Sequence, residues 1–145
     1  MDQELRTRMS IATPPSSADA LPGKSWIDFV ADLHDPEAAP ILSPVRYIDS
    51  LGMDIETLAR NTRVTVAAIA QTPDDANIQM HIRENLRVIK AAYDVSGNDL
   101  LRTLIWFRTE PLQVFSQTTA EQAVAAGRAD DVVRLIHSLH AGAAG

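Results

Sequence analysis

The pattern of apolar and polar positions changes character near residue 25. Residues 1–24 contain Thr13-Pro14-Pro15-Ser16-Ser17 and Pro22-Gly23 with little periodicity. They read as a flexible arm, because such a composition cannot offset ordering entropy by burial. Beyond it apolar residues recur at helical spacing. Trp26, Ile27, Phe29, Val30 and Leu33 form a first apolar face, preceded by Ser25 and Asp28 at capping-box spacing. Pro36 and Pro40 punctuate a linker. Ser43-Pro44 then supplies a cap followed by proline at the first helical position, and Val45, Ile48 and Leu51 carry that helix to Gly52.

Asp54 can cap a helix bearing Ile55, Leu58 and Ala59, and Thr65 a short one bearing Val66 and Ile69. Thr72-Pro73-Asp74-Asp75 repeats the cap-plus-proline pattern ahead of the longest helix. That helix has the apolar face Ile78, Ile82, Leu86, Ile89 and Tyr93 and stops at Gly97. Asn98 is the expected cap of the next helix, with Leu100, Leu101, Leu104, Ile105 and Phe107, and Pro111 lies beyond its end. Thr119 can cap a brief helix through Ala126, stopped by Gly127. The last helix is expected over 129–140, with Val132, Leu135, Ile136 and Leu139 on one face. No stretch alternates as a strand. The predicted class is all-α, a compact multi-helix domain divided into an arm (1–24), a helical region (25–97) and a C-terminal helical unit (98–145).

Within 25–97, Ile55 to Thr72 has the spacing of a helix-turn-helix. Ala59 sits where the two helices would touch, Val64 closes the turn, and Ile69 buries the second helix. The turn position that is usually glycine is Arg63. The would-be recognition helix, Val66-Ala67-Ala68-Ile69-Ala70-Gln71, offers little for reading base edges. Arg63, Thr65 and Gln71 are the candidate DNA contacts, and the competing reading is a packing or dimerisation unit.

Charge changes this picture in one respect. The net charge is −6, and 3 basic and 7 acidic groups of the chain lie in residues 1–40. The body is near neutral. An acidic chain is a poor general binder of phosphate backbones, but a local basic stripe of Arg83, Arg87 and Lys90 remains on the long helix, with Glu84 placed to pair Arg87. Cysteine is absent, which excludes disulfides and thiolate metal sites. No apolar run approaches the roughly 20 residues that span a bilayer, and the first residues lack the order of a secretory signal. A location in the cytoplasm, with no membrane partner, is the expectation.

Chemistry-bearing motifs are scarce. There is no Gly-x-Ser-x-Gly elbow, phosphate loop, Gly-x-Gly-x-x-Gly or His-Glu-x-x-His. No catalytic residue, cofactor or metal is expected. His137 and His140 stand three apart near the end of the last helix, without a third ligand at matching spacing. Asp130 and Asp131 neighbour Arg134 at i+4 and i+3, a spacing suited to ion pairing.

Three segments of the C-terminal third carry a resemblance: Trp106-Phe107-Arg108-Thr109-Glu110-Pro111-Leu112, Thr118 to Val124, and Ala126-Gly127-Arg128-Ala129-Asp130-Asp131-Val132-Val133-Arg134-Leu135-Ile136. Together they resemble the toxin-binding domain of the Xre/MbcA/ParS antitoxins, in which a Trp-ended helix leads through a loop and a small helix to a glycine and a last helix opening on acids and valine. The likeness covers about 45–140, since the family also places a helix-turn-helix-like region upstream. Phe115-Ser116-Gln117-Thr118-Thr119 stands where family members carry a Gly-rich turn and a Thr-Pro pair. The resemblance implies a cognate RES-domain toxin, a NAD-consuming or ADP-ribosylating enzyme, whose NAD pocket the C-terminal unit would block. It also implies a homodimer and a possible operator DNA. The residues it points to as toxin interface are Arg128, Asp130, Asp131, Arg134, His137 and His140. The alternative is a DNA-binding regulator of its own operon.

Overall fold

The computed structural model describes residues 24–38 and 40–144. The arm expected at 1–24 lies, apart from Lys24, outside the described residues. What is described is all-helical: α1 (Trp26–Leu33), α2 (Pro44–Leu51), α3 (Ile55–Thr62), α4 (Val66–Gln71), α5 (Ala76–Val95), α6 (Leu100–Thr109), α7 (Ala120–Ala125) and α8 (Ala129–Ala144), with a 3₁₀ turn at Gln113–Phe115. Two isolated bridges, His34 to Leu42 and Leu112 to Thr118, tie loop ends together. No helix among the described residues is long and apolar enough to cross a membrane.

Side-chain caps set most helix starts. Ser25, Ser43, Asp54, Thr65 and Thr119 each accept from the backbone N–H three residues on, satisfying donors that a helix N-terminus leaves free. At α7 the cap is reciprocal, with the Gln122 side chain accepting from the Thr119 N–H. Two expected caps are displaced. Asp75, not Thr72, caps α5, accepting from Asn77 N and Ile78 N. Thr72 instead closes α4, its N–H and hydroxyl both donating to Ala68 O. Asp99, not Asn98, caps α6. Asn98 follows Gly97 in the left-handed region (φ 62° and 81°), and a cap residue needs an extended backbone.

The long helix α5 is the axis of the molecule. Its expected face Ile78, Ile82, Leu86, Ile89 and Tyr93 is buried, but burial extends round it to Gln79, Asn85, Val88 and Ala92, because helices pack on more than one side. Gln79 meets the cost of its burial by donating to Leu42 O (2.7 Å) and Pro73 O (2.9 Å) and accepting from Leu42 N (3.0 Å). One continuous core joins Phe29 and Leu33 of α1 to Phe107 of α6 and Val132 and Ile136 of α8. Among the expected apolar faces, Ile27, Val45 and Leu139 face outward instead. In each of these helices a neighbouring turn supplies the buried side chains: Phe29 and Leu33, Tyr47 and Ile48, Val132 and Ile136.

Candidate partner-binding surface

Helix α8 starts at a sharp turn. Gly127 takes φ 83°, a conformation that favours glycine, and Arg128 N donates back to Ala123 O (2.9 Å). Ala129, Val132 and Ile136 then bury one stripe of α8 against α5 and α7. Helical periodicity turns Asp130, Arg134, His137 and His140 outward, and all are exposed.

The charges on this face are ordered. Asp131 accepts from Arg128 Nε (3.1 Å) and, on its other oxygen, from Arg134 Nη2. Arg128 and Arg134 hold its carboxyl below the usual carboxylate range. Arg128 also lies over the Phe115 ring, 4.6 Å from the centroid, a cation–π contact that ties α8 to the 3₁₀ turn. Asp130 does not join Arg134. It accepts from Arg87 Nη2 of α5 (2.6 Å), and Arg87 also donates to both oxygens of Glu84 (3.1 and 3.0 Å). The two carboxylates raise the Arg87 guanidinium above its ordinary value. Part of the basic stripe is thus occupied: Arg87 by Glu84 and Asp130, and Lys90 by Asp94 (2.8 Å). His137 and His140 follow along the same face, and no group of three metal-ligating side chains occurs among the described residues.

Helices α3 and α4 follow one another across the Arg63 turn and pack together. Ala59 and Ile69 are buried as expected, and Val64 packs against the core. Arg63 occupies the left-handed turn position (φ 61°), its N–H and that of Val64 closing the end of α3 on Arg60 O and Ala59 O. Gln71 is exposed, while the Thr65 hydroxyl is engaged in capping α4. Folding brings Arg63 to the α7–α8 turn: the two line an open groove of about 550 Å³ together with Met80, His81 and Glu84. Thr65 and Gln71 stand outside it.

A second charged cluster was not legible as a site. Arg108 Nε donates to Glu121 (2.9 Å), and its Nη1 to Leu51 O (3.2 Å) and Gly52 O (3.0 Å). One guanidinium therefore joins α6, α7 and the end of α2. Burial raises the Glu121 carboxyl and Arg108 opposes that rise. The Tyr47 hydroxyl is buried close by and raised mainly by burial, then by Glu121. The available signal was Arg108 standing four residues after Leu104, beside the apolar stripe of α6. His81 was missed as well. Its ring is largely buried on α5, and desolvation lowers it to about 4.

Comparison with family models, with curated proteins and with solved structures gave no match.

Proposed function

We propose that the chain is an antitoxin of the Xre/MbcA/ParS kind, binding a RES-domain toxin and blocking its NAD pocket. It acts in the cytoplasm by occupancy rather than catalysis, and needs no cofactor. The observation that carries this reading is the division of labour on α8. Its apolar stripe is spent on the core, while Arg128, Asp130, Asp131, Arg134, His137 and His140 form a charged outer face on a helix anchored at its start. A pocket that binds the phosphates of NAD is basic, and Asp130 and Asp131 offer it carboxylates held in place before contact. Arg128 and Arg134 would meet acidic groups around the pocket. The experiment is co-expression with the RES-domain protein encoded beside it. The pair should copurify and growth should be restored; toxicity unrelieved by this chain refutes the reading.

A second reading, a regulator that binds its own operator, is favoured by one observation: the short helices α3 and α4 pack across a tight turn with Arg63 and Gln71 exposed. Val66, Ala67 and Ala70 are exposed beside them, an uncharged surface suited to a homodimer contact. A mobility-shift titration on upstream DNA at physiological salt decides this, since only sequence-dependent binding that persists there supports it.

A further inference from the structure

A separate recess lies between the last turns of α5, helix α6 and the C-terminal half of α8. Its volume is about 210 Å³, and its walls are apolar: Ala92, Val95, Trp106, Ile136 and Leu139. On α8 the buried stripe of Val132 and Ile136 continues into Leu139, which no described residue covers and which is 57% exposed. Val95 and Trp106 are only half-buried around it. Apolar side chains left open together in this way are what a docking surface presents. The polar groups at the edge are already engaged. Ser96 Oγ and Thr103 Oγ1 lie 2.9 Å apart and reach backbone carbonyls, and Arg102 is paired to Asp99. The recess therefore calls for an apolar occupant.

The chain itself enters the fold beside this recess. Trp26, at the start of α1, packs on Tyr93 of α5 with ring centroids 5.7 Å apart. Tyr93 adjoins Ala92 and stands three residues before Ser96, both in the recess wall. Residues 1–23, outside the described ones, thus join the fold about one helix diameter, roughly 10 Å, from the recess. Their large apolar residues are Met1, Leu5, Met9, Ile11 and Leu21, and only Met9 and Ile11 stand two apart. That spacing puts two side chains on one side of an extended segment. Residues 12–25 can span up to roughly 45 Å, several times the distance needed. A segment on such a tether is presented at an effective concentration on the order of millimolar, which favours it over a second copy of the chain.

We propose that the N-terminal segment docks back on its own helical body, with Met9 and Ile11 filling this recess against Trp106 and Leu139. The contact does not depend on the antitoxin reading, because it uses none of the residues assigned to the toxin.

The chain has no cysteine, so Ser10→Cys places a single nitroxide label in the isotope-labelled full-length protein, read by paramagnetic broadening in NMR. The label sits between the two anchoring residues and points away from them in an extended segment. Broadening should be strongest at the Trp106 indole and the Leu139 methyls. It should be weaker at the Trp26 indole, although Trp26 is nearer along the chain. I11D should lower the docked-to-undocked ratio about tenfold, the worth of one large apolar side chain withdrawn from burial. L139D should do the same from the other side, and since Leu139 is exposed the exchange leaves the core intact. Spin-labelled chain without isotope, mixed with isotope-labelled chain without the spin label, should leave Trp106 sharp. Broadening centred on Trp26, broadening that survives I11D and L139D, or broadening in the mixed sample, which would make a second copy the occupant, each overturns the proposal.

Discussion

Several residues other than glycine occupy the left-handed backbone region, which most side chains disfavour. Arg63, Asn98, Ser116 and Gln117 all take positive φ (61°, 62°, 57° and 67°). Two of these places are turns: Arg63 stands at the turn position that is usually glycine in a helix-turn-helix, and Ser116-Gln117 forms the turn before α7. A left-handed backbone is adopted most easily by glycine, so glycine should relieve strain there. Arg63→Gly and Gln117→Gly are each expected to stabilise the chain by about 0.5–1 kcal/mol, the left-handed penalty less the greater freedom of glycine in the unfolded chain; urea denaturation measures it. His81 works in the opposite direction. Its folded value of about 4 lies below the ordinary 6.5, so the unfolded chain binds the extra proton first. Stability from this residue is complete above pH 6.5 and falls as pH drops toward 4, by on the order of 2 kcal/mol. Glu121 slopes the other way, because its carboxyl is raised in the folded state. The His81 contribution is therefore read as a difference: wild type minus His81→Leu should decline between pH 7 and 4.

At the scale of the helix, α8 separates stability from recognition. Its ion pairs join exposed side chains, and such pairs contribute only about 0–1 kcal/mol. Asp131→Lys should thus leave the unfolding midpoint nearly unchanged, although it removes the acceptor of both Arg128 and Arg134. The same change should abolish copurification with the proposed toxin, since it places a cation before a basic pocket. An Asp131→Lys chain that is folded by circular dichroism and still binds the toxin would remove this carboxylate from the interface. The pairing within α8 also shows how far spacing leads. Asp130 and Asp131 were both within reach of Arg134 along the helix, yet only Asp131 pairs with it. Asp130 goes to Arg87, which lies 43 residues away in sequence.

Across the whole molecule, the Arg108–Glu121 pair is the polar link among three helices. Glu121 is 6% exposed, so its charge is stranded if the guanidinium goes. Arg108→Met should destabilise by about 3 kcal/mol, the usual cost of breaking a buried pair from one side. Glu121→Gln added to it should recover part of that loss, which thermal melts of the single and double variants will show. Glu121 and Arg108 both fall in segments of the family resemblance. Both side chains are held by packing, whereas Arg128, Asp130 and Arg134 face outward.

Helix number, type and most boundaries were determined by the sequence alone, because caps, left-handed glycines and apolar periodicity act within a few residues of each other. Ser43-Pro44, Thr119 with Gln122, and Gly127 each specify a terminus whatever surrounds them. The same locality explains the errors: Thr72 and Asp75 were both eligible caps, and α8 runs on to Ala144 rather than stopping at 140, as its alanines allow. Only the tertiary structure decided which apolar residues face out, that Arg63 shares a groove with the α7–α8 turn, that Asp130 pairs with Arg87, and that Arg108 is spent on the interior. Burial and ion pairing between distant segments depend on how helices cross, and no pattern confined to one helix carries that information.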